Sequence, residues 1–275
     1  MLKKRVLTAA LGIPIITAIV WFGEPWFTLL IVIWGLMAVF EFYRLVENST
    51  ASPLTYFGLA WTLLFILSRN SNLQAAIEPH FDISLLTPIL LISAVILSIS
   101  WFLSRPHKEK VLNSWAWTMT GIFYVGWLFS YLVAMRGLEN GRNWVFFALF
   151  VTFASDTMAF FIGKTWGKIP LAPQISPKKT WEGAIGGIIG AILISMFFLL
   201  PTPIGLNFNW WHAIILGLLV SIFGQIGDLA ESLFKRNMGV KDSSKLIPGH
   251  GGVLDRMDSI VFAVVVVYFY AMWTT

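Results

Sequence analysis

Residues 143–163 read NWVFFALFVTFASDTMAFFIG, and the run is about as long as the roughly 20-residue helix that crosses the hydrocarbon core of a bilayer. It carries a single ionisable group, Asp156, in its interior. A charge at that depth costs about 2.5–3.5 kcal/mol on insertion scales unless it finds a partner. Working outward, comparable apolar runs recur at 6–22, 26–46, 54–68, 83–103, 114–135, 183–200, 211–234 and 258–273. The chain is therefore expected to be an all-α polytopic integral membrane protein of about nine transmembrane helices. No stretch between the runs is long enough for a soluble domain.

Composition agrees. Hydrophobic residues make up 57% of the chain and charged residues 12%, and the mean hydropathy is +0.76, values outside the range of water-soluble domains. The first run, 6–22, continues through Pro14 towards Glu24-Pro25 without a small-residue cleavage site, so it reads as a retained first span rather than a signal peptide. There are no cysteines, which excludes disulfides, thiolate metal ligation and a cysteine nucleophile. The net charge of +5 is read by its placement across loops, not as a sign of nucleic-acid binding.

With a cytoplasmic N-terminus, all 19 basic residues except Arg69, Arg136 and Arg142 fall on one side. The positive-inside rule then places the N-terminus in the cytoplasm and the C-terminus outside. Trp21, Trp26, Trp144, Trp210 and Trp211 lie near helix ends, where interfacial aromatics are expected. No internal repeat is evident, so the inverted-repeat sign of a transporter is missing. Polar chemistry is concentrated from Ser155 onwards. The chain divides on this reading into a transmembrane scaffold, 1–142, and a catalytic transmembrane region, 143–275, with cytoplasmic loops at 164–182 and 235–257.

Asp228, Glu231, Ser232 and Lys235 follow one another at i, i+3, i+4 and i+7, which puts them on one face of a helix at its cytoplasmic end. Arg236, Lys241, Asp242, Lys245 and the segment Pro248-Gly-His250-Gly251-Gly252 come next, before Asp255-Arg256-Met-Asp258 opens the last span. A loop rich in glycine and cations is thus bracketed by two carboxylate pairs. Hard divalent cations take carboxylate oxygens, Lys and Arg meet phosphate oxygens, and glycines let backbone amides approach. The parts suit phosphoryl or nucleotidyl transfer. Read singly, Asp255 and Asp258 could be helix-dipole partners, and Lys235 and Arg236 ordinary positive-inside residues. Asp228, a carboxylate at or just inside the interface, tips the balance towards function.

A second constellation runs from Ser155-Asp156 through Gly163-Lys164 and Gly167-Lys168 to Ser176-Pro-Lys178-Lys179-Thr-Trp-Glu-Gly183. Its Ser-Pro-Lys-Lys turn could bind phosphates, although no intact Walker motif is present; a basic loop near anionic headgroups is the plainer alternative. His250, between glycines, is read as ordering its loop or touching phosphate. His80, His107 and His212 stand alone. Glu41 and Arg44, three apart on the second span, most simply pair with each other. Gly183, Gly186, Gly187 and Gly190 form a helix-packing stripe.

The pattern from Ser232-Leu-Phe-Lys235-Arg236 through Lys241-Asp242, Pro248 and His250-Gly251-Gly252 to Asp255-Arg256 and Asp258 resembles the signature of the phosphatidate cytidylyltransferases, the CDP-diacylglycerol synthases. Ser155-Asp-Thr157 and the Gly163 to Gly183 region look like that family's second characteristic region. The resemblance covers roughly residues 150–260. It implies that CTP and phosphatidate give CDP-diacylglycerol and pyrophosphate for phospholipid synthesis, with Mg²⁺ required and a second metal ion left open. Asp228 and Asp255 would be metal ligands, with Asp258 and Glu231 as further metal candidates. Lys235, Arg236, Lys241 and Arg256 would hold triphosphate or phosphatidate; Asp156, Lys164, Lys178, Lys179, Ser232, Asp242, His250, Gly251 and Gly252 would complete the substrate pocket. A homodimer in a bacterial plasma membrane, facing the cytoplasm and binding membrane lipids but no nucleic acid, is the accompanying expectation. A CTP-dependent lipid-alcohol kinase, a transporter using Asp156 and Asp228, and a non-catalytic scaffold are the rival readings.

Overall fold

The computed structural model describes residues 2–48, 51–104, 111–244, 246 and 251–274, with backbone alone for 2–9. His250, Lys245 and Pro248 lie outside the described residues, as do His107 and the basic residues Arg105, Lys108 and Lys110. The chain is a multi-pass helical membrane protein. Six helices are long and apolar enough to cross a bilayer, and three shorter apolar helices accompany them among the described residues.

In chain order the helices are α1 (Leu2–Phe22), α2 (Trp26–Glu47), α3 (Thr55–Ser68), α4 (Ser71–Ile77), α5 (Leu86–Leu103), α6 (Val111–Thr120), α7 (Leu128–Arg136), α8 (Gly141–Trp166), α9 (Trp181–Phe197), α10 (Trp210–Asn237) and α11 (Leu254–Thr274). Every apolar run expected from the sequence is helical. The run 114–135 is one continuous helix in which α6 and α7 are joined by a π-helical stretch, Gly121–Trp127. Short α4, capped by the Asn70 side chain on the Leu73 amide, was not foreseen.

The chain folds as two compact units. The first comprises Met1–Gly137 with Met238–Arg256, the second Leu138–Asn237 with Met257–Thr275. In the first, Phe65, Leu90, Met119 and Ile122 form a buried cluster. Tyr43 is wholly buried beside it, and its hydroxyl donates to the Thr118 carbonyl at 2.7 Å. The π stretch begins three residues on. Two glycines make room for the ring: a Cβ on Gly58 would stand 2.1 Å from the Tyr43 oxygen, and one on Gly121 2.5 Å from the ring. Tyr43→Phe is expected to cost about 0.6–1.5 kcal/mol, the worth of one such hydrogen bond, read as a lowered melting temperature in detergent with activity per folded molecule retained.

In the second unit the glycine stripe packs α9 on α8, as small residues do where lipid removes the hydrophobic drive between helices. A Cβ on Gly186 would meet Ile162 at 2.7 Å, one on Gly190 would meet Met158 at 2.5 Å, and one on Gly187 would meet Ser155 at 3.1 Å. Trp144 departs from its expected interfacial place. It is 3% exposed and stacks on Phe208, whereas Trp21, Trp26, Trp210 and Trp211 are all exposed.

The segment read as a Ser-Pro-Lys-Lys turn is a strand. β1 (Pro170–Ala172) pairs antiparallel with β2 (Ser176–Thr180), and Pro170 faces Thr180. Thr180 then caps α9, its hydroxyl accepting the Gly183 amide at 3.2 Å. Glu182 accepts the Ile169 amide, which ties the hairpin to the helix start.

Candidate functional site

The second unit gathers most of the expected acids and bases. Asp228 sits on α10 and forms an ion pair with Lys179 of β2, Nζ to Oδ2 at 2.6 Å. One turn along α10, Glu231 is fully buried and pairs with Lys235 four residues on. The Ser232 hydroxyl lies 3.5 Å from Asp228 Oδ1. The helical spacing of these four residues is therefore used as written, except that the cation on Asp228 comes from the hairpin. Successive strand residues point to opposite faces, so Lys179 turns towards α10 while Lys178 stays exposed. Arg236 donates to the Ile175 carbonyl at 3.2 Å, a second tie from α10 to the hairpin.

Asp258 of α11 lies within electrostatic reach of both Asp228 and Asp156, with Lys235 offsetting the repulsion. The Ser259 hydroxyl donates to Asp156 at 3.3 Å, supplying the intramembrane carboxylate with a hydrogen-bonding partner. A small residue makes this convergence possible. A Cβ on Gly227 would stand 2.3 Å from the Asp258 carbonyl oxygen, so only glycine lets the two backbones close up beside Asp228. On α8, Ser155 and Ser221 of α10 share a hydrogen bond of 2.7 Å. Gln225 reaches both Ser221 and the Ala184 carbonyl.

The acids fit a divalent cation by donor chemistry. Asp258, repelled by both Asp228 and Asp156, favours a positive charge beside it, and hard oxygen donors suit Mg²⁺. Among the described residues no three His, Asp or Glu side chains stand close enough to enclose an ion by themselves. Mg²⁺ does not need them to, since one or two carboxylates with substrate phosphates and water are its usual shell.

The first unit holds the other half of the signature. Asp255, in the first turn of α11, accepts from Ser243 N at 3.0 Å, Ser243 Oγ at 2.9 Å and Gly252 N at 2.8 Å. Its carboxylate thereby ties Ser243 and Gly252 to the helix start. Gly251 has φ +86, and a Cβ there would stand 2.6 Å from Asp255 Oδ2. Lys241, Asp242 and Arg256 are exposed. Lys164, back in the second unit, extends over the Phe160 ring at 5.8 Å.

Sequence reasoning missed Glu41. Its expected ion pair with Arg44 does not form: the Arg44 guanidinium lies over Phe40, while Glu41 is buried and its carboxylate accepts from Ser243 Oγ, Ser244 Oγ, Val253 N and Leu254 N. Helical spacing favoured the near neighbour Arg44, but the actual partners lie 202 to 213 residues further along the chain. Gly227, Ser243 and Ser259 were also passed over; a small residue one position before a membrane carboxylate was the available sign for the first.

Comparison with known proteins follows the same residues. The model of the cytidylyltransferase family matches residues 3–273. The phosphatidate cytidylyltransferase of Bacillus subtilis (strain 168) is 34% identical over 270 residues, covering 98% of this chain and 97% of that protein. That of Brucella abortus biovar 1 (strain 9-941) is 35% identical over 280 residues, covering 98% and 93%. That of Staphylococcus haemolyticus (strain JCSC1435) is 33% identical over 266 residues, covering 95% of each. A helical membrane protein with clustered acids and lysines, matched almost end to end, this chain belongs to the cytidylyltransferase family.

Proposed function

We propose that the chain transfers the cytidylyl group of CTP to phosphatidate, giving CDP-diacylglycerol and pyrophosphate for phospholipid synthesis. The observation that carries this reading is the cluster of Asp228, Asp258 and Asp156 with Lys179 and Lys235, in a chain similar to phosphatidate cytidylyltransferases over nearly its whole length. A phosphate oxygen of phosphatidate attacks the α-phosphorus of CTP, forming the new P–O bond while the bond to the β-phosphate breaks. Two anions must meet for this to happen. Lys179 and Lys235, with Arg236 and Lys178 near them in sequence, supply positive charge that draws both together and offsets their repulsion.

Asp228 and Asp258 would hold Mg²⁺, with Asp156 and Glu231 beside them. The ion, when bound, neutralises phosphate charge and polarises the phosphoryl oxygens. Asp255, whose oxygens are engaged by Ser243 and Gly252, holds those two residues at the start of α11 and is a metal ligand only in second place. Lys241 and Arg256 of the first unit keep their candidacy for phosphate contacts, and Asp242, Gly251 and Ser232 theirs for substrate contacts. No protein nucleophile is needed. A general base is also dispensable, because a phosphomonoester with a second pKa of about 6 is mostly dianionic near pH 7.

The same reading includes nine spans, an N-terminus in the cytoplasm and a C-terminus outside, and catalysis at the cytoplasmic face of a bacterial plasma membrane, in a homodimer. Segregation of the basic residues supports the orientation. The purified protein is expected to release pyrophosphate only when CTP, phosphatidate and Mg²⁺ are all present, and to stop on chelation. Pyrophosphate release without phosphatidate, or full turnover in a chelator, would sink the proposal.

A further inference from the structure

Glu41 is a buried carboxylate from the second transmembrane helix that makes four hydrogen bonds, all to the segment on either side of the signature glycines. Oε1 accepts from Ser244 Oγ at 2.7 Å and Val253 N at 3.1 Å; Oε2 accepts from Ser243 Oγ at 3.0 Å and Leu254 N at 3.0 Å. Val253 and Leu254 form the start of α11, so Glu41 serves as the N-cap of that helix from a distant part of the chain. Its negative charge also meets the positive end of the helix dipole.

The contact is closely built. A Cβ on Gly252 would stand 2.3 Å from Glu41 Oε2 and 1.9 Å from Ser243 Oγ. Ser243 Oγ in turn lies within hydrogen-bond distance of both Glu41 and Asp255. Its single hydroxyl hydrogen can serve only one carboxylate at a time, which couples the two acids through one side chain. Glu41 thus fixes the Ser243-Ser244 turn, Gly252 and the first turn of α11 together. Asp255 and Arg256 sit in that first turn, and Asp258 follows three residues further along the same helix.

We infer that Glu41 is a positioning residue for the cytidylyl transfer: it sets the pitch and register of the α11 N-terminus and so the placement of Asp255 and Arg256 in its first turn. The inference rests on the proposed function. A displacement of about 1 Å in such a group can cost on the order of 100-fold in rate. Gln has the size of Glu, but its amide nitrogen cannot accept a hydrogen bond; it can donate to a serine hydroxyl, so Glu41→Gln leaves the Val253 or the Leu254 amide unanswered and removes the charge while filling the same space.

The test uses the full-length protein in detergent, with rates measured per folded molecule. Glu41→Gln is expected to lower kcat by about 10- to 100-fold while KM for CTP changes less than about threefold, since uniform binding is not what it removes. Hydrogen exchange should accelerate at the Val253 and Leu254 amides and not across α8 to α10. Glu47→Gln, on the same helix but exposed, should match the parent. If Glu41→Gln does not fold, Ser244→Ala removes one donor and should lower kcat by about 3- to 10-fold. Unchanged kcat per folded molecule in either variant would overturn the inference. The proposed function fails separately, when the parent protein itself forms no CDP-diacylglycerol from CTP and phosphatidate.

Discussion

Asp228→Asn is expected to lower CDP-diacylglycerol formation by about 1,000-fold or more, the scale of removing a group that holds charge at a reacting phosphate. Stability should hardly move. The Asp228–Lys179 pair is 2.6 Å long with side chains 32% and 24% exposed; Lys179 Nζ itself is buried, but Asn keeps an oxygen that can accept from it and removes the repulsion between Asp228 and Asp258. The two effects differ so much in size that they can be told apart on one preparation. A melting temperature within a few degrees of the parent, with product formation near background, is the predicted outcome. Near-parental turnover would remove Asp228 from the metal and substrate assignment.

Gly252→Ala is expected to cost about 3 kcal/mol or more and to abolish activity together with stability, in contrast to Asp228→Asn. The added methyl would overlap Ser243 Oγ and Glu41 Oε2. Both are held in place, so Ser243 must rotate away and give up the one hydroxyl bond it donates to Asp255 or Glu41, worth about 1.5–3 kcal/mol as a hydrogen bond to a charged group, and the crowding itself adds about 1–3 kcal/mol. Gly239 gives the comparison. It has φ +70 with nothing within 4 Å of a Cβ, so Gly239→Ala carries only the backbone cost of about 1–2 kcal/mol. Thermal unfolding of both variants, alongside hydrogen exchange across 251–257, measures the difference; a smaller loss for Gly252→Ala than for Gly239→Ala would contradict the packing described around Glu41.

The helices were legible because a bilayer sets their length and apolarity directly, and each run from 6–22 to 258–273 became one. The hairpin was not: Pro170–Ala172 and Ser176–Thr180 are short and polar, and their pairing with each other and with Glu182 depends on contacts that no periodicity announces. The π stretch lies beside the contact of Tyr43 with the Thr118 carbonyl, a partner far from it in sequence. For the site, the spacing of Asp228, Glu231, Ser232 and Lys235 announced a shared helix face, and the Glu231–Lys235 pair uses it. The partner of Asp228 could not be read that way, because Lys179 arrives on a strand. Glu41 shows the limit most clearly. Its only visible neighbour at helical spacing was Arg44, while its four donors come from the other end of the chain.

The division of labour along α11 follows from these contacts. Asp255 faces the loop, where Ser243 and Gly252 occupy it, and Asp258 joins Asp228 and Asp156. Two acids three residues apart, alike in the sequence, thereby meet different surroundings.

The central claim concerns which bond of CTP breaks, and the position of a label decides it. Purified protein supplied with phosphatidate, Mg²⁺ and CTP labelled at either the α- or the γ-phosphorus should carry the α-label into the lipid product and release the γ-label as pyrophosphate. Transfer of the γ-label to lipid with release of CDP would contradict the account and assign the chain to lipid phosphorylation.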